Sequence, residues 1–292
     1  ISEVVKKNLS VKSFTPKETS ETDTFDRFVF SDVHIGMDAN KDGYALYEML
    51  WNEDEIEKRR ELATDFILKN KSSDTIYIDE LGDFLDGWDG QTTRKGHALP
   101  QNMDNQKAFD VAVSFKVRLV DSLINSYSKI VMNNVCEDNH SGSFGYVVNS
   151  AVKSILEGKY PESVTVVNHR KFISHYYVGN HAFILSHGKD SKNLKFGFKP
   201  QLDAKQSEKI DQYCKVNNVY KNSSFIEFSK GDSHQMIFDY ATSDDFDYCS
   251  YPAFSPSSEW VQVNFKKGRS GCVMYNIDYD KNNKNMNPLW FN

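Results

Sequence analysis

The chain has 292 residues, 39% of them hydrophobic and 26% charged. That is enough to bury a sizeable core in one large or two modest domains, and it excludes a disordered chain. The formal net charge of −6 argues against a strongly basic nucleic-acid binder, but not against a nuclease whose divalent ions reverse the local field.

In chain order, residues 1–24 are polar and rich in Ser, Thr and Lys. They read as a flexible N-terminal extension ahead of a domain spanning 25–292. Residues 1–10 contain no apolar signal-peptide core, and the apolar runs throughout are too short to cross a membrane. The expected location is cytoplasmic. Arg27-Phe28-Val29-Phe30 predicts a strand. A helix is predicted over 53–70, where Ile56, Leu62, Phe66 and Ile67 share one apolar face. Strand 75–78, helix 105–127, strand 129–132 and a shorter helix 146–156 follow. This alternation implies parallel strands in an α/β layer. Short β-type runs then dominate, at 164–167, 172–178, 182–185, 235–238, 260–265 and 273–277, interrupted by a helix over 201–216. The two halves together predict an α/β fold: a two-sheet sandwich flanked by helices, in one domain. Residues 244–292 carry no readable motif and are expected to complete the second sheet or to form a C-terminal cap. Cys136, Cys214, Cys249 and Cys272 are far apart and form no CxxC pair, so reduced thiols are expected rather than a zinc ribbon or disulfide framework.

The residues able to do chemistry stand just after predicted strands. Asp32 and His34 follow the first, Asp83 the second, Asn139 and His140 the third, and His187 follows Phe183-Ile184-Leu185. Ligands of open α/β sheets bind at the carboxyl ends of strands. The order therefore brings Asp, His, Asp, Asn and His to one edge, as a metal centre requires. Carboxylate, imidazole and amide oxygen suit Mn, Fe or Zn, and the absence of thiolate disfavours a structural zinc site. One aspartate can bridge two ions, and two ions roughly 3.5–4 Å apart can clamp a phosphoryl group. Any one of these short motifs alone is commonly a turn, a helix cap or a loop. Their order along the chain carries the reading.

Taken together, Asp32-Val33-His34, Gly82-Asp83-Phe84-Leu85-Asp86, Asp138-Asn139-His140-Ser141, His187 and Gly231-Asp232-Ser233-His234 resemble the motifs of the calcineurin-like metallophosphoesterases. The resemblance spans about residues 28–240. It implies that Asp32, His34 and His234 hold one divalent ion and that Asn139 and His187 hold a second. Asp83 would bridge the two. By the same resemblance His140 assists the leaving group, and Asp86 orients that histidine and raises its pKa. A metal-bound hydroxide would attack phosphorus in line. Three positions depart from the family pattern. Asp138 stands where the family has Gly, a turn that Asp tolerates in left-handed backbone. Ser141 replaces an acidic residue. Asp232 replaces the first His of the last motif and is retained as a ligand, a change that favours Mn or Mg over Zn.

The implied cofactors are thus two divalent ions, with Mn expected and Mg, Fe or Zn as alternatives. The expected substrate is a phosphodiester, DNA, RNA or a nucleotide. A nucleotide-sugar pyrophosphohydrolase, a phosphomonoesterase and a catalytically silent binding scaffold of the same fold are the other readings. Arg94, Lys95 and His97, in the polar loop after Asp86, either contact substrate phosphate or form a solvated loop. Lys189, Lys192 and Lys195 leave the same two readings open, and Phe196, Phe198 and Tyr213 either stack on bases or pack in the core.

Overall fold

The computed structural model describes residues 3–8, 22–40, 45–93, 96–188, 194, 199–240, 245–264 and 268–291. The first half runs α1 (Glu3–Asn8), β1 (Thr24–Phe30), α2 (Glu53–Lys69), β2 (Thr75–Glu80), α3 (Asn105–Leu123), β3 (Lys129–Val135) and α4 (Ser143–Lys159). Next come β4 (Val164–His169), β5 (Ser174–Val178), β6 (His181–Ser186), α5 (Ala204–Val216), α6 (Val219–Asn222) and β7 (Phe225–Lys230). The chain closes with β8 (Ile237–Asp239), β9 (Asp247–Ser250), α7 (Glu259–Asn264), β10 (Gly271–Asp278) and β11 (Lys284–Trp290).

A six-stranded sheet has the order β11-β10-β1-β2-β3-β4, and a five-stranded sheet the order β5-β6-β7-β9-β8. Strands β1 to β4 are mutually parallel, as are β6, β7 and β9; antiparallel β10 and β11 extend one side of the first sheet, whose other edge is the parallel β4, and antiparallel β5 and β8 form the edges of the second. The fold is therefore α/β, with two mixed sheets and flanking helices. Alternation along β1 shows how the layers form. Phe28 and Phe30 enter the core shared with α2, α3 and α4, whereas Phe25 and Val29 enter the core between the sheets. A third core lies between the second sheet and α5. Strands covered on both faces read as continuous apolar runs, which is why these strands are visible in sequence.

Charge is also buried between the sheets. Arg27 is fully enclosed, with Asp79 at 2.7 Å and Glu227 at 2.6 Å, and its guanidinium lies 4.2 Å over the Phe183 ring. Lys284 Nζ completes the group at 3.1 Å from Glu227.

Several expectations change. The run 260–265, read as a strand, is helical over Glu259–Asn264. Its alternation is outvoted by a local cap. Ser258 Oγ accepts from Val261 N at 3.3 Å, and the buried Gln262 donates to the carbonyls of Tyr47 and Ser257. Strand β7 was not anticipated, because Glu227 and Lys230 interrupt its apolar pattern; both are buried, with Glu227 held by Arg27 and Lys284 across the sheets. The segment after 244 places β9 in the second sheet but β10 and β11 in the first. Within residues 1–24, α1 lies beside α3, and residues 9–21 fall outside the described set. All four cysteines are buried and free. Among the described residues no helix is long and apolar enough to cross a membrane.

Candidate metal centre

Five parallel strands from two sheets end at one place. Asp32 and His34 follow β1, Asp83 and Asp86 follow β2, and Asn139 and His140 follow β3; from the second sheet His187 follows β6, and Asp232 and His234 follow β7. Backbone bonds lock these loops together. Asp32 N donates to the Gly82 carbonyl at 3.0 Å, His34 N to Asp83 O at 2.9 Å, and Gly231 N to His187 O at 3.1 Å. Asp232 N donates to Asp32 Oδ2 at 3.1 Å, which joins the two sheets.

The backbone itself is unusual here. Among the described residues, seven that are not glycine have φ in the left-handed region, and five of them are Asp32, His34, Asp83, Asp232 and His234, with φ of 55°, 48°, 47°, 64° and 52°. Each such residue costs about 1–2 kcal/mol, and strain of this kind collects at functional sites. The glycines before two of the aspartates are equally constrained. A Cβ on Gly82 (φ 96°) would stand 2.9 Å from His187 Cγ, and one on Gly231 would stand 2.0 Å from Ser31 Oγ.

Side-chain contacts fix which nitrogens face the centre. His187 Nδ1 lies 2.9 Å from the Leu81 carbonyl, which can only accept; Nδ1 is therefore a donor, which leaves Nε2 as the nitrogen able to bind an ion once it gives up its proton. His34 Nδ1 donates to Asp86 Oδ1 at 3.1 Å, which again frees Nε2. His34 Nε2 and His234 Nε2 approach to 3.4 Å, with Asp32 Oδ1 3.2 Å from His234. His187 Nε2 is 3.0 Å from Asp83 Oδ2 and 3.8 Å from Asp232 Oδ1. The potential ligand atoms of Asp32, His34 and His234 all lie within 4.8 Å of one another, as do those of Asp32, Asp83 and His187.

The donor set fits divalent ions. Asn139 Oδ1 is shut off from solvent with no hydrogen-bond partner, a costly state for a polar atom unless a ligand satisfies it; Asp32 Oδ1 and His187 Nε2, equally shut off, meet His234 and Asp83 of the same cluster. Asp83 is enclosed, and burial disfavours its charge, yet His140, His187 and His34 hold its carboxyl well below the usual carboxylate range.

His140 stands at the edge of this group. Burial opposes its protonated form, but Asp83, with Nε2 at 3.6 Å, and then Asp86 push it up to about 10. Its Nδ1 donates at 2.7 Å to the Asp86 carbonyl, whereas the Asp86 carboxylate is nearer to His34, at 3.1 Å against 3.6 Å to His140. Asp86 therefore orients both rings, one through its side chain and the other chiefly through its backbone.

Asp138 does something the sequence did not suggest. Its φ is not in the left-handed region. Instead Oδ1 accepts from His140 N, Ser141 N and Gly142 N at 3.1, 2.7 and 3.2 Å, and Oδ2 accepts from Asp83 N at 3.1 Å. Ser141 Oγ also donates to Oδ2, at 2.8 Å. One carboxylate thus ties the β2 loop to the β3 loop. Burial and then Asp83 raise its pKa to about 7.

His97 lines the same cleft as the candidate ligands. Arg94, Lys95, Lys189, Lys192, Lys195, Phe196 and Phe198 lie outside the described residues. Tyr213, read as a base-stacking candidate, donates to or accepts from His175 Nδ1 at 2.7 Å on α5 and is not part of the cleft lining.

No family model matches the chain, and no curated protein matches it in sequence. Among solved structures it is similar to Vps29 from Entamoeba histolytica in complex with zinc, at 9% identity and a TM-score of 0.37, covering 91% of this chain and 99% of that one. A conserved protein from Streptococcus pneumoniae described as a predicted phosphoesterase matches at 11% identity and a TM-score of 0.37, over 91% and 90%. Plasmodium GAP50, described as an anchor in the inner membrane complex, matches at 10% and 0.41, over 91% and 84%. At such values the likeness supports no assignment of function. That rests on the site.

Proposed function

We propose that this protein is a metal-dependent phosphoesterase of the calcineurin-like kind, acting on a phosphodiester. The observation that carries the reading is the concentration of left-handed backbone in five candidate ligands; strain of this sort persists only where the surroundings enforce it. Asp32, His34 and His234 would hold one ion and Asn139, His187 and Asp232 the other, with Asp83 between them. Oxygen and nitrogen donors without thiolate favour Mn, with Mg, Fe or Zn as competitors. When bound, two such ions would neutralise phosphoryl oxygens and activate water.

The chain's own groups do the rest. Asp86 and Leu81 O orient His34 and His187 so that Nε2 of each faces inward. His140 holds a proton at Nε2, beside Asp83, for delivery to the departing oxygen. Asp138 keeps the Asp83 and His140 loops in register.

The test is hydrolysis of a chromogenic phosphodiester and the matching monoester, with metal content measured on the same preparation. Mn-dependent turnover of the diester is expected. Turnover of the monoester alone removes the diester reading, and bound metal with no turnover of either ester makes the protein a binding module instead.

A further inference from the structure

His34, Asp83, Asn139, Asp232 and His234 line one part of a cleft of about 810 Å³, here called its floor, and the rest of the lining, its walls, has a different chemistry. One wall is α7, with Trp260, Val261 and Val263. The other is the segment Ala98-Leu99-Pro100, beside Met37. Trp260 is 58% exposed and Val263 62%. Large apolar side chains left facing solvent beside a polar centre commonly mark a ligand surface.

Both walls are built in. On one side Phe254 N donates to Ser31 O at 2.8 Å and Ser255 N to Asp32 O at 3.1 Å, so the chain entering α7 runs along the ligand loop itself. Glu259 N donates to Ala39 O at 3.1 Å. On the other side Asp38 N donates to Pro100 O at 2.9 Å, and Asn102 N to Gly36 O at 2.8 Å. The two walls are thus fixed to the same short stretch, 36–39, that follows His34. Among the described residues the lining also includes Asp38 and Glu259, whose charges oppose the approach of a polyanionic strand, which is held by Lys and Arg contacts to phosphate.

We propose that this cleft selects small phosphate esters bearing a flat aromatic group, which packs on Trp260 and Val263 against Leu99 and Pro100 while the phosphoryl group meets the floor. A single aryl ring or nucleobase meets this description; a continuous nucleic-acid strand does not. The proposal rests on the phosphoesterase reading for its floor, but its walls are testable alone.

Two measurements separate the two ideas. In the first, benzyl and methyl p-nitrophenyl phosphodiesters share one leaving group, so their kcat/KM ratio reports only the second substituent. The ratio is expected to exceed about 10 in the wild type, the scale of one aromatic stacking contact. It should fall towards 1 in Trp260→Ala and be largely kept in Trp260→Phe. In the second, benzylphosphonate and methylphosphonate are titrated into the Mn-loaded protein by calorimetry. Benzylphosphonate should bind about 10-fold more tightly, and Trp260→Ala should erase the difference. Trp260 is exposed, so its truncation opens no core cavity. Equal binding of the two phosphonates overturns the aromatic clamp and leaves the phosphoesterase standing; so does equal kcat/KM for the two esters that Trp260→Ala leaves unchanged, the variant being needed because their shared p-nitrophenyl ring is itself a flat aromatic group. Selective benzylphosphonate binding without turnover of any ester supports the clamp while overturning the phosphoesterase. A single-stranded oligonucleotide hydrolysed faster than the benzyl ester also overturns the clamp.

Discussion

Replacing Asp138 with Asn alters one atom of the carboxylate and almost none of its volume. In the native protein Oδ1 serves three backbone N–H groups and Oδ2 serves Asp83 N at 3.1 Å. An amide can keep its oxygen towards His140, Ser141 and Gly142 only by turning its NH2 on the Asp83 N–H, donor against donor. The flipped amide rescues that contact and abandons three. Leaving one enclosed donor unsatisfied costs about 1–3 kcal/mol. Asp138→Ala strands all four donors and also removes a cap-like anchor worth about 1 kcal/mol, so it should cost more than the about 1–3 kcal/mol of the Asn variant. At about 2–4 °C per kcal/mol for chains of this order of size, melting should fall by several degrees, more for Ala than for Asn. Differential scanning fluorimetry in EDTA isolates the anchor from metal binding. Metal content and diester turnover, measured in Mn, should fall as well, because Asp83 and His140 lose their common tie. If both variants melt with the wild type in EDTA, the role given to Asp138 is wrong.

His140→Ala should reduce kcat by about 100- to 10,000-fold, the range of general acid–base assistance, while metal bound per chain stays near the wild-type level. Parallel loss of metal and turnover would place His140 among the ligands instead. For Glu227, burial opposes ionisation, but Lys284 and Arg27 hold its carboxyl well below the usual range. A depressed folded pKa gives stability that is present above the unfolded pKa, about 4.3, and is lost as pH falls below it towards the folded value. Glu227→Gln leaves Arg27 and Lys284 with less opposing charge, so denaturant melts at pH 7 should show a loss of about 3–5 kcal/mol. The gap between variant and wild type should narrow below about pH 4. Equal stability at pH 7 would contradict this account.

Much of the centre was legible because its determinants are local. The strands before Asp32, Asp83 and Asn139 are covered on both faces, so each reads as an apolar run followed at once by polar residues. Gly82 and Gly231 mark turns where a Cβ would strike His187 and Ser31. Strand β7 escaped detection because Glu227 and Lys230 sit where an apolar residue is expected, and Glu227's partners lie about 200 and 57 residues away along the chain. The assignment of Asp86 shifted for a similar reason: spacing places it in the β2 loop, but only distances show its carboxylate nearer His34 than His140.

By itself the sequence determined the layered α/β sandwich and the residues that stand at the ends of β1, β2, β3 and β6, since period-2 and period-3.6 patterns and short turns are written within a few residues; Asp232 and His234, after β7, were named by the motif resemblance alone. Tertiary structure alone decided how the site is tied together and what surrounds it. Asp138 spans two loops, and α7 forms instead of a strand because Ser258 caps it and Gln262 is held by Tyr47 and Ser257. The apolar walls combine segments some 160 residues apart in sequence, 98–100 and 260–263, each anchored beside His34. Long-range contacts of this kind leave no periodic signature in the chain, because only the packed fold brings their partners within reach.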